Sequence, residues 1–334
     1  MLGRVFDTSA REVKAEFPLA GTSTGARRAP AAGAWQKGFV ATWQYTADGF
    51  ERIDGARYDT SGTLLSSFTA SATAGANQQA PSLAVGKTGA FAVFWEASLD
   101  GADGPSDVMG RTFGPDATAK TAPFAIPATT AGRQAAPHVV PIPLSSDFLA
   151  AWETPDTTGT RTELALRRFD ASGTPKTGEV RLVSSAAMSR PRLAVSPDGG
   201  AAVVCFATID VDTSAGATCR WVVPDSLAET GTPFRPSAIS AGVQQDPFPA
   251  WMSTDTLLVT YATQGLDADG LAVQVRAFTP DGTPRDPRVQ LNRNVTADQT
   301  RPFLLPLDAL TYLAGWETTD SSDRGIAYRI LPAP

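Results

Sequence analysis

Three sets of residues recur at fixed places in this sequence and could do chemistry. The first is rich in amides: Arg27, Gln78, Gln134, Met188, Gln244 and Gln299 each stand three residues before a recurring proline. Long amides gathered at one place can line a polar site, with Oε1 accepting and Nε2 donating. The same side chains can instead bond neighbouring loop backbone and lock one repeat to the next. The second set lies just after the proline: Ala31, Ser82, His138, Arg192, Phe248 and Phe303. Its chemistry varies while the frame around it repeats, as a ligand site would. The other reading is packing between repeats. His138 is the only histidine in the chain. Together these positions give the expected ligand-binding set: Gln78, Gln134, His138, Arg192, Gln244, Phe248, Gln299 and Phe303. The glutamines would supply hydrogen bonds. His138 and Arg192 would supply donors suited to an acidic or hydroxylated ligand. Phe248 and Phe303 would offer an apolar face of the kind sugars stack on.

The third set is acidic. It follows a recurring aromatic and reads Gln44, Glu96, Glu153, Ala207, Ala262 and Glu317. Loops just beyond it hold many aspartates, among them Asp100, Asp103, Asp267 and Asp269. Carboxylates on one rim are a candidate Ca²⁺ site, since that ion takes six to eight oxygens. The spacing is only a fragment of a calcium loop, and Asp and Gly also serve hairpin turns. No other cofactor is expected. One histidine and two cysteines leave little for a transition metal. No Gly-x-Ser-x-Gly elbow and no Gly-rich phosphate loop occurs, so no catalytic residue is named. A glycosidase-like carboxylate pair stays open, although no pair stands out.

The elements that must hold these residues are legible in residues 81–130. Strand A is Pro81–Val85, strand B Phe91–Ala97, strand C about Asp107–Phe113, and strand D about Ala122–Ile126. Each is short and bounded by Gly, Pro, Asp or Ser turns, the pattern of antiparallel meanders. The strand A proline returns as Pro30, Pro81, Pro137, Pro191, Pro247 and Pro302. The aromatic closing strand B returns as Trp43, Trp95, Trp152, Phe206, Tyr261 and Trp316. Six four-stranded copies, each of about fifty residues, predict an all-β fold: a six-bladed β-propeller of antiparallel blades. We expect the six aromatics at equivalent buried places, filling the wedge between neighbouring sheets.

The ends of the chain complicate the count. Residues 2–7 read as a strand C and 13–19 as a strand D, while the last copy lacks a D. The expectation is one domain over 1–334, its last blade closed by the strand at about 13–19, and excised from a longer secreted chain. Strand C occurs seven times, against six for the others. Seven blades with one incomplete is therefore the alternative.

Net charge is −6 with no basic run, which argues against nucleic acid and anionic membranes. No stretch approaches the roughly 18 apolar residues of a membrane span. Low Lys with many Thr, Ala, Gly and Pro fits a secreted or cell-surface bacterial protein. Cys205 and Cys219 fall on neighbouring antiparallel strands, at the places of Phe94 and Gly110 in the second copy. A cross-strand disulfide is expected there, against the alternative of two buried thiols.

The segments GFVATW at 38–43, GAFAVFW at 89–95 and RRFDASG at 167–173 resemble the tandem repeats of large bacterial extracellular propeller proteins. The SPDG turn at 196–199 is similar to those of TolB-like and WD40-like blades. The resemblance implies the fold and says little of activity, because propellers host binders and enzymes alike. The expected function is a non-enzymatic extracellular module that binds glycan or protein through loops on one face. The alternative is a propeller enzyme, a glycoside hydrolase, lyase or lactonase, with carboxylates at the channel mouth.

Overall fold

A computed structural model of the chain contains strands, turns and no helix among the described residues. It describes residues 1–333 apart from 10, 20–24, 48, 72–76, 99–105, 210–214, 238–241, 267–268, 294–295 and 321–322. The fold is a six-bladed β-propeller, as the repeats predict. Its residues cluster into two units, Met1–Leu182 and Val183–Pro334.

The first unit opens with a hairpin, β1 (Leu2–Phe6) and β2 (Glu12–Pro18), and then holds three blades. Blade 1 is β3 (Ala26–Trp35), β4 (Gly38–Ala47), β5 (Phe50–Tyr58) and β6 (Leu64–Thr69). Blade 2 is β7 (Asn77–Val85), β8 (Phe91–Ser98), β9 (Ser106–Phe113) and β10 (Phe124–Ala125). Blade 3 is β11 (Ala135–Pro141), β12 (Phe148–Pro155), β13 (Thr162–Phe169) and β14 (Val180–Leu182).

The second unit holds the other three blades. Blade 4 is β15 (Ala187–Val195), β16 (Ala202–Ile209), β17 (Ala215–Val222) and β18 (Glu229–Phe234). Blade 5 is β19 (Gln244–Ser253), β20 (Thr256–Gln264), β21 (Leu271–Phe278) and β22 (Pro284–Gln290). Blade 6 is β23 (Gln299–Pro306), β24 (Thr311–Asp320) and β25 (Asp323–Pro332). Each sheet runs in chain order and is antiparallel throughout.

The segment expected to complete the last blade is β2. Its hydrogen-bonded partner is β1, and the sheet of blade 6 has three strands. The hairpin also carries an apolar face. Met1, Phe17 and Leu19 pack on Ala41, Trp43 and Tyr58 of blade 1. Phe17 meets the Tyr58 ring edge-on at 5.8 Å, and the Tyr58 hydroxyl donates to the carbonyl of Leu19.

Strand B is the buried centre of each blade. All eight residues of β8 are buried. The six aromatics that close these strands are buried as expected: Trp43 3%, Trp95 1%, Trp152 0%, Phe206 0%, Tyr261 0% and Trp316 4% exposed. Each lies opposite a strand C residue at the equivalent register, for example Trp95 opposite Met109 and Trp152 opposite Ala165. The cores run from blade to blade within a unit. One joins Phe94 and Val108 of blade 2 to Val139 and Trp152 of blade 3. Another joins Leu258 and Val275 of blade 5 to Ala314 and Trp316 of blade 6.

The strand C arginine is a clamp between blades. Arg111 Nη1 donates to the carbonyls of Thr69 and Ala70 at 3.3 and 3.4 Å. Arg167 Nη1 donates to that of Ile126 at 3.1 Å, and Arg329 Nη1 to that of Leu291 at 3.1 Å. Each arginine therefore satisfies the end of strand D in the blade before it. The cations of Arg111 and Arg167 also sit near Phe113 and Phe169, both at 5.5 Å.

The Asp-x-Ser-Gly turns are stabilised by their own side chains. Asp59 accepts from Ser61 N at 2.8 Å, Ser61 Oγ at 2.6 Å and Thr63 N at 2.9 Å. Gly62 takes φ 77°, which a residue with a Cβ adopts at a cost. The Ser61 hydroxyl, with the Thr63 amide, holds the Asp59 carboxyl below the usual carboxylate range. Backbone and side-chain bonds from Thr118 do the same for Asp116. A lowered folded pKa contributes stability above the unfolded value of about 3.9, and the contribution is lost as pH falls through the folded pKa. Thermal melts of Asp59→Asn should therefore lose less stability than the wild type between about pH 4 and pH 2. Parallel pH profiles for the two proteins would show that the turn does not couple protonation to folding.

Candidate functional site

Every strand A carries the same irregularity. The register slips by one residue at the proline, between Gln79 and Ser82 on β7 and between Ala135 and His138 on β11. The same slip occurs on β3, β15, β19 and β23. The residue before the proline has positive φ in all six: Ala29 49°, Ala80 51°, Ala136 48°, Arg190 53°, Asp246 52° and Arg301 47°. None is glycine, and the residue before a proline is normally driven to extended conformations. No local rule predicts this position from sequence. It is a bulge that turns one backbone N–H and one side chain out of the ladder.

The bulge brings charges to the acidic repeat position. Glu96, at the end of β8, is 4% exposed. It accepts from Ser106 Oγ and Arg133 Nη2, both at 2.9 Å. It also takes Gln79 Nε2 at 3.3 Å and the bulge amide of Ala136 at 3.4 Å. Arg133 reaches on to Glu153 of β12, with Nη1 to Oε2 at 3.7 Å. One guanidinium thus holds carboxylates from two adjacent blades. Its own side chain is 61% exposed, while the carboxylates are 5% and 13% exposed. Asp107 lies close by in sequence, and burial pushes its carboxyl up. It pairs with Ala97, while Glu96 pairs with Val108. Adjacent residues of a strand point to opposite faces, so Asp107 is not part of this pair.

The second unit repeats the theme with other charges. Arg190 and Asp246, the bulge residues of blades 4 and 5, pair at 2.9 Å. Arg301, the bulge residue of blade 6, pairs with Glu317 at 3.1 Å.

The expected ligand-binding residues are distributed as follows. Gln78, Gln134, Gln244 and Gln299 are buried, at 2%, 0%, 3% and 0% exposed. Three of them accept from the strand B indole of their own blade. Trp95 Nε1 donates to Gln78 Oε1, Trp152 Nε1 to Gln134 Oε1 at 3.0 Å, and Trp316 Nε1 to Gln299 Oε1 at 3.0 Å. The amide nitrogens are spent on loop carbonyls: Gln134 on Ala131 at 3.3 Å, Gln244 on Gly242 at 3.0 Å and Gln299 on Thr296 at 3.2 Å. Each of these bonds lies within the glutamine's own blade or the loop that leads into it.

Of the residues after the proline, His138 is half-buried on β11 in the first unit. Arg192 is half-buried on β15 in the second, with Nη1 on the carbonyl of Pro191 at 3.0 Å. Ser82, at the same place in blade 2, accepts from Val139 N of blade 3 at 3.0 Å. Phe248 packs against the core of blades 5 and 6. Phe303 is 37% exposed. It covers Gly315, where a Cβ would come within 2.4 Å of its ring.

Of the proposed calcium ligands, Asp100, Asp103 and Asp267 lie outside the described residues, and Asp269 is exposed. Among the described residues no group of three or more His, Cys, Asp or Glu could hold a metal ion. Cys205 and Cys219 form a disulfide directly across β16 and β17. They occupy the register of Phe94 and Gly110, where a Cβ on Gly110 would meet the Phe94 ring at 2.8 Å.

Sequence reasoning missed Arg133 because it occurs at its position in one blade only and breaks no pattern. Glu96, Glu153 and Glu317 were visible as an acidic repeat position, but their arginine partners were not.

No protein-family model matches this chain. No curated protein matches it either. Solved structures with the same fold do. A protein of unknown function from Dyadobacter fermentans matches at TM-score 0.64 and 13% identity, covering 100% of this chain and 98% of that one. The α-L-arabinanase of Penicillium chrysogenum, complexed with arabinobiose, matches at 0.63 and 10%, covering 92% and 93%. The NanB sialidase of Streptococcus pneumoniae matches at 0.63 and 10%, covering 93% of this chain and 69% of that one. At these identities the likeness is one of fold.

Proposed function

We propose that this chain is a carbohydrate-active propeller that cleaves glycosidic bonds, with Glu96 and Glu153 as its working carboxylates. The observation that carries the reading is the single guanidinium of Arg133 shared by both acids. Glycosidases use two carboxylates up to ~9.5 Å apart, one as acid and the other as base or nucleophile. The two ends of one guanidinium reach both acids, Nη2 at 2.9 Å from Glu96 Oε1 and Nη1 at 3.7 Å from Glu153 Oε2. Arg133 keeps both oriented and offsets their mutual repulsion. The bulge amide of Ala136 holds Glu96 from the next blade, so the pair depends on the packing of blades 2 and 3. The arabinanase and sialidase neighbours support carbohydrate as the substrate class. The disulfide fits an oxidising, extracellular setting.

The test is release of reducing sugar from a panel of plant and host polysaccharides and aryl glycosides. Glu96→Gln and Glu153→Gln should each lower the rate by about 10³-fold or more with the fold intact by circular dichroism. Activity unchanged in both variants would refute the assignment. A second reading, glycan binding without cleavage, is favoured by exposed Phe303 beside the Arg301–Glu317 pair. It predicts glycan-array binding lost in Phe303→Ala, with no sugar released.

A further inference from the structure

The sheet of blade 6 comprises β23, β24 and β25, its strands A, B and C. In blades 1, 2, 3 and 5 a strand D covers strand C in one way. An aliphatic residue of strand D gives its amide to a strand C carbonyl: Ala70 to Ile53 at 2.8 Å, Ile126 to Val108 at 2.9 Å and Leu291 to Val273 at 2.8 Å. In blade 3 Leu182 lies opposite Leu164 at the same place. All four of these strand D residues are fully buried, and so are Ile53, Val108, Leu164 and Val273. Two residues earlier, strand D carries a second apolar side chain: Phe68, Phe124, Val180 or Val289. In blades 1 and 5 the residue after the aliphatic one accepts from the same strand C residue. Ser71 Oγ takes Ile53 N at 2.8 Å, and Asn292 Oδ1 takes Val273 N at 3.0 Å. Strand C is thus met by a short pattern: apolar, any, aliphatic, then Ser or Asn.

β25 presents the same place without that cover. Val108 and Leu164 stand three residues before the clamping arginines Arg111 and Arg167, and Ile326 stands three before Arg329. Ile326 is 67% exposed, where its counterparts are 0%. Every residue of β25 pairs with β24, and among the described residues no strand pairs with its other edge. A cavity of about 440 Å³ lies beside this strand, lined by Ala327, Tyr328 and Ile330 with Leu291, Trp316 and Thr318 among others. A strand edge left open beside exposed apolar surface is a template for one more strand.

We propose that the outer edge of β25 is a docking site for an extended segment of a different protein, with the pattern apolar, any, aliphatic, then Ser or Asn. The segment adds a fourth, antiparallel strand to blade 6. Its aliphatic residue covers Ile326 and gives its amide to the Ile326 carbonyl. Its Ser or Asn side chain accepts from Ile326 N. Main-chain bonds supply the affinity, and the two apolar side chains supply the selectivity. In a second copy of this chain the matching segments are taken. The strand D residues are buried in their own blades, and Phe17 and Leu19, at the same spacing, pack on blade 1. The site is separate from Glu96 and Glu153 and does not rest on their role.

The probe is a fluorescein-labelled peptide copying residues 287–293, from strand D of blade 5, titrated with the whole chain and read by fluorescence polarisation. Saturable binding is expected, with amide hydrogen exchange slowed at Ile326. Leu291→Asp within the peptide removes the aliphatic group, and methylating the nitrogen of that leucine removes the N–H. Each change should weaken binding at least ~10-fold. Ile326→Lys in the chain should weaken it as much, with the melting temperature nearly unchanged because the side chain is exposed. The proposal is overturned if the peptide does not bind, or if its scrambled or N-methylated form binds as tightly. It is equally overturned if Ile326→Lys titrates like the wild type. A dimer of the chain alone that excludes the peptide and is dissolved by Ile326→Lys would also overturn it, making a second copy the occupant.

Discussion

Trp152→Ala is expected to destabilise the first unit by about 3–5 kcal/mol, the cost of a large aromatic removed from a packed core. Trp152 is fully buried. It packs in the cluster that joins Phe94 and Val108 of blade 2 to Phe148 and Phe169 of blade 3. Its loss leaves a cavity on both sides of a blade boundary. It also removes the donor to Gln134 Oε1, an amide with no exposed surface. Trp152→Phe separates the two effects. It keeps most of the apolar contact and strands the glutamine oxygen, for an expected loss of about 1–3 kcal/mol. Adding Gln134→Met, the residue that blade 4 has at this repeat position alongside Phe206 in place of the tryptophan, should recover part of that loss. Chemical denaturation followed by tryptophan fluorescence measures all three. A cost below about 1 kcal/mol for the alanine variant would mean that the blade boundary repacks freely.

Removing the disulfide is the second large effect. The double variant Cys205→Ala/Cys219→Ala should lose about 3 kcal/mol, since the bridge closes a loop across a separation of 14 residues. Both cysteines are fully buried in the core of blades 4 and 5, beside Trp221 and Val259. The loss should therefore appear in the second unit and leave the Trp152 environment unchanged. Titration of the denatured protein should find no reactive thiol before reduction and two after it. Two thiols before reduction, or a double variant as stable as the wild type, would contradict the bridge.

The repeat frame was readable because it rests on local rules. Proline starts strand A, an apolar run ending in an aromatic makes strand B, Arg-x-Phe ends strand C, and Asp-x-Ser-Gly turns lead to strand D. Each depends on alternation or on turn geometry, both properties of neighbours in the chain. The facing of Cys205 and Cys219 followed from the same register. The fates of the glutamines did not. Gln134 was correctly seen as one of a repeated set. Whether its oxygen meets a ligand or the indole of Trp152 depends on where a side chain turns after the strand bulges.

That bulge marks the boundary. Ala136, Arg190 and Asp246 each precede a proline, where backbone sterics favour extended φ, yet each takes positive φ. Only the packing of neighbouring strands and blades holds them there. From this strain come the Ala136 amide on Glu96 and the contact of Arg190 with Asp246. The pairing of β2 with β1 and the packing of Phe17 and Leu19 on blade 1 are likewise contacts that no local rule spells out. The sequence by itself determined six copies of a four-stranded unit, the aromatics at their centres and the disulfide across β16 and β17. Tertiary structure alone decided which polar side chains meet one another. Strand patterning is set by a period of two residues, whereas Glu96, Arg133 and Glu153 are brought together across tens of residues by blades packing side by side.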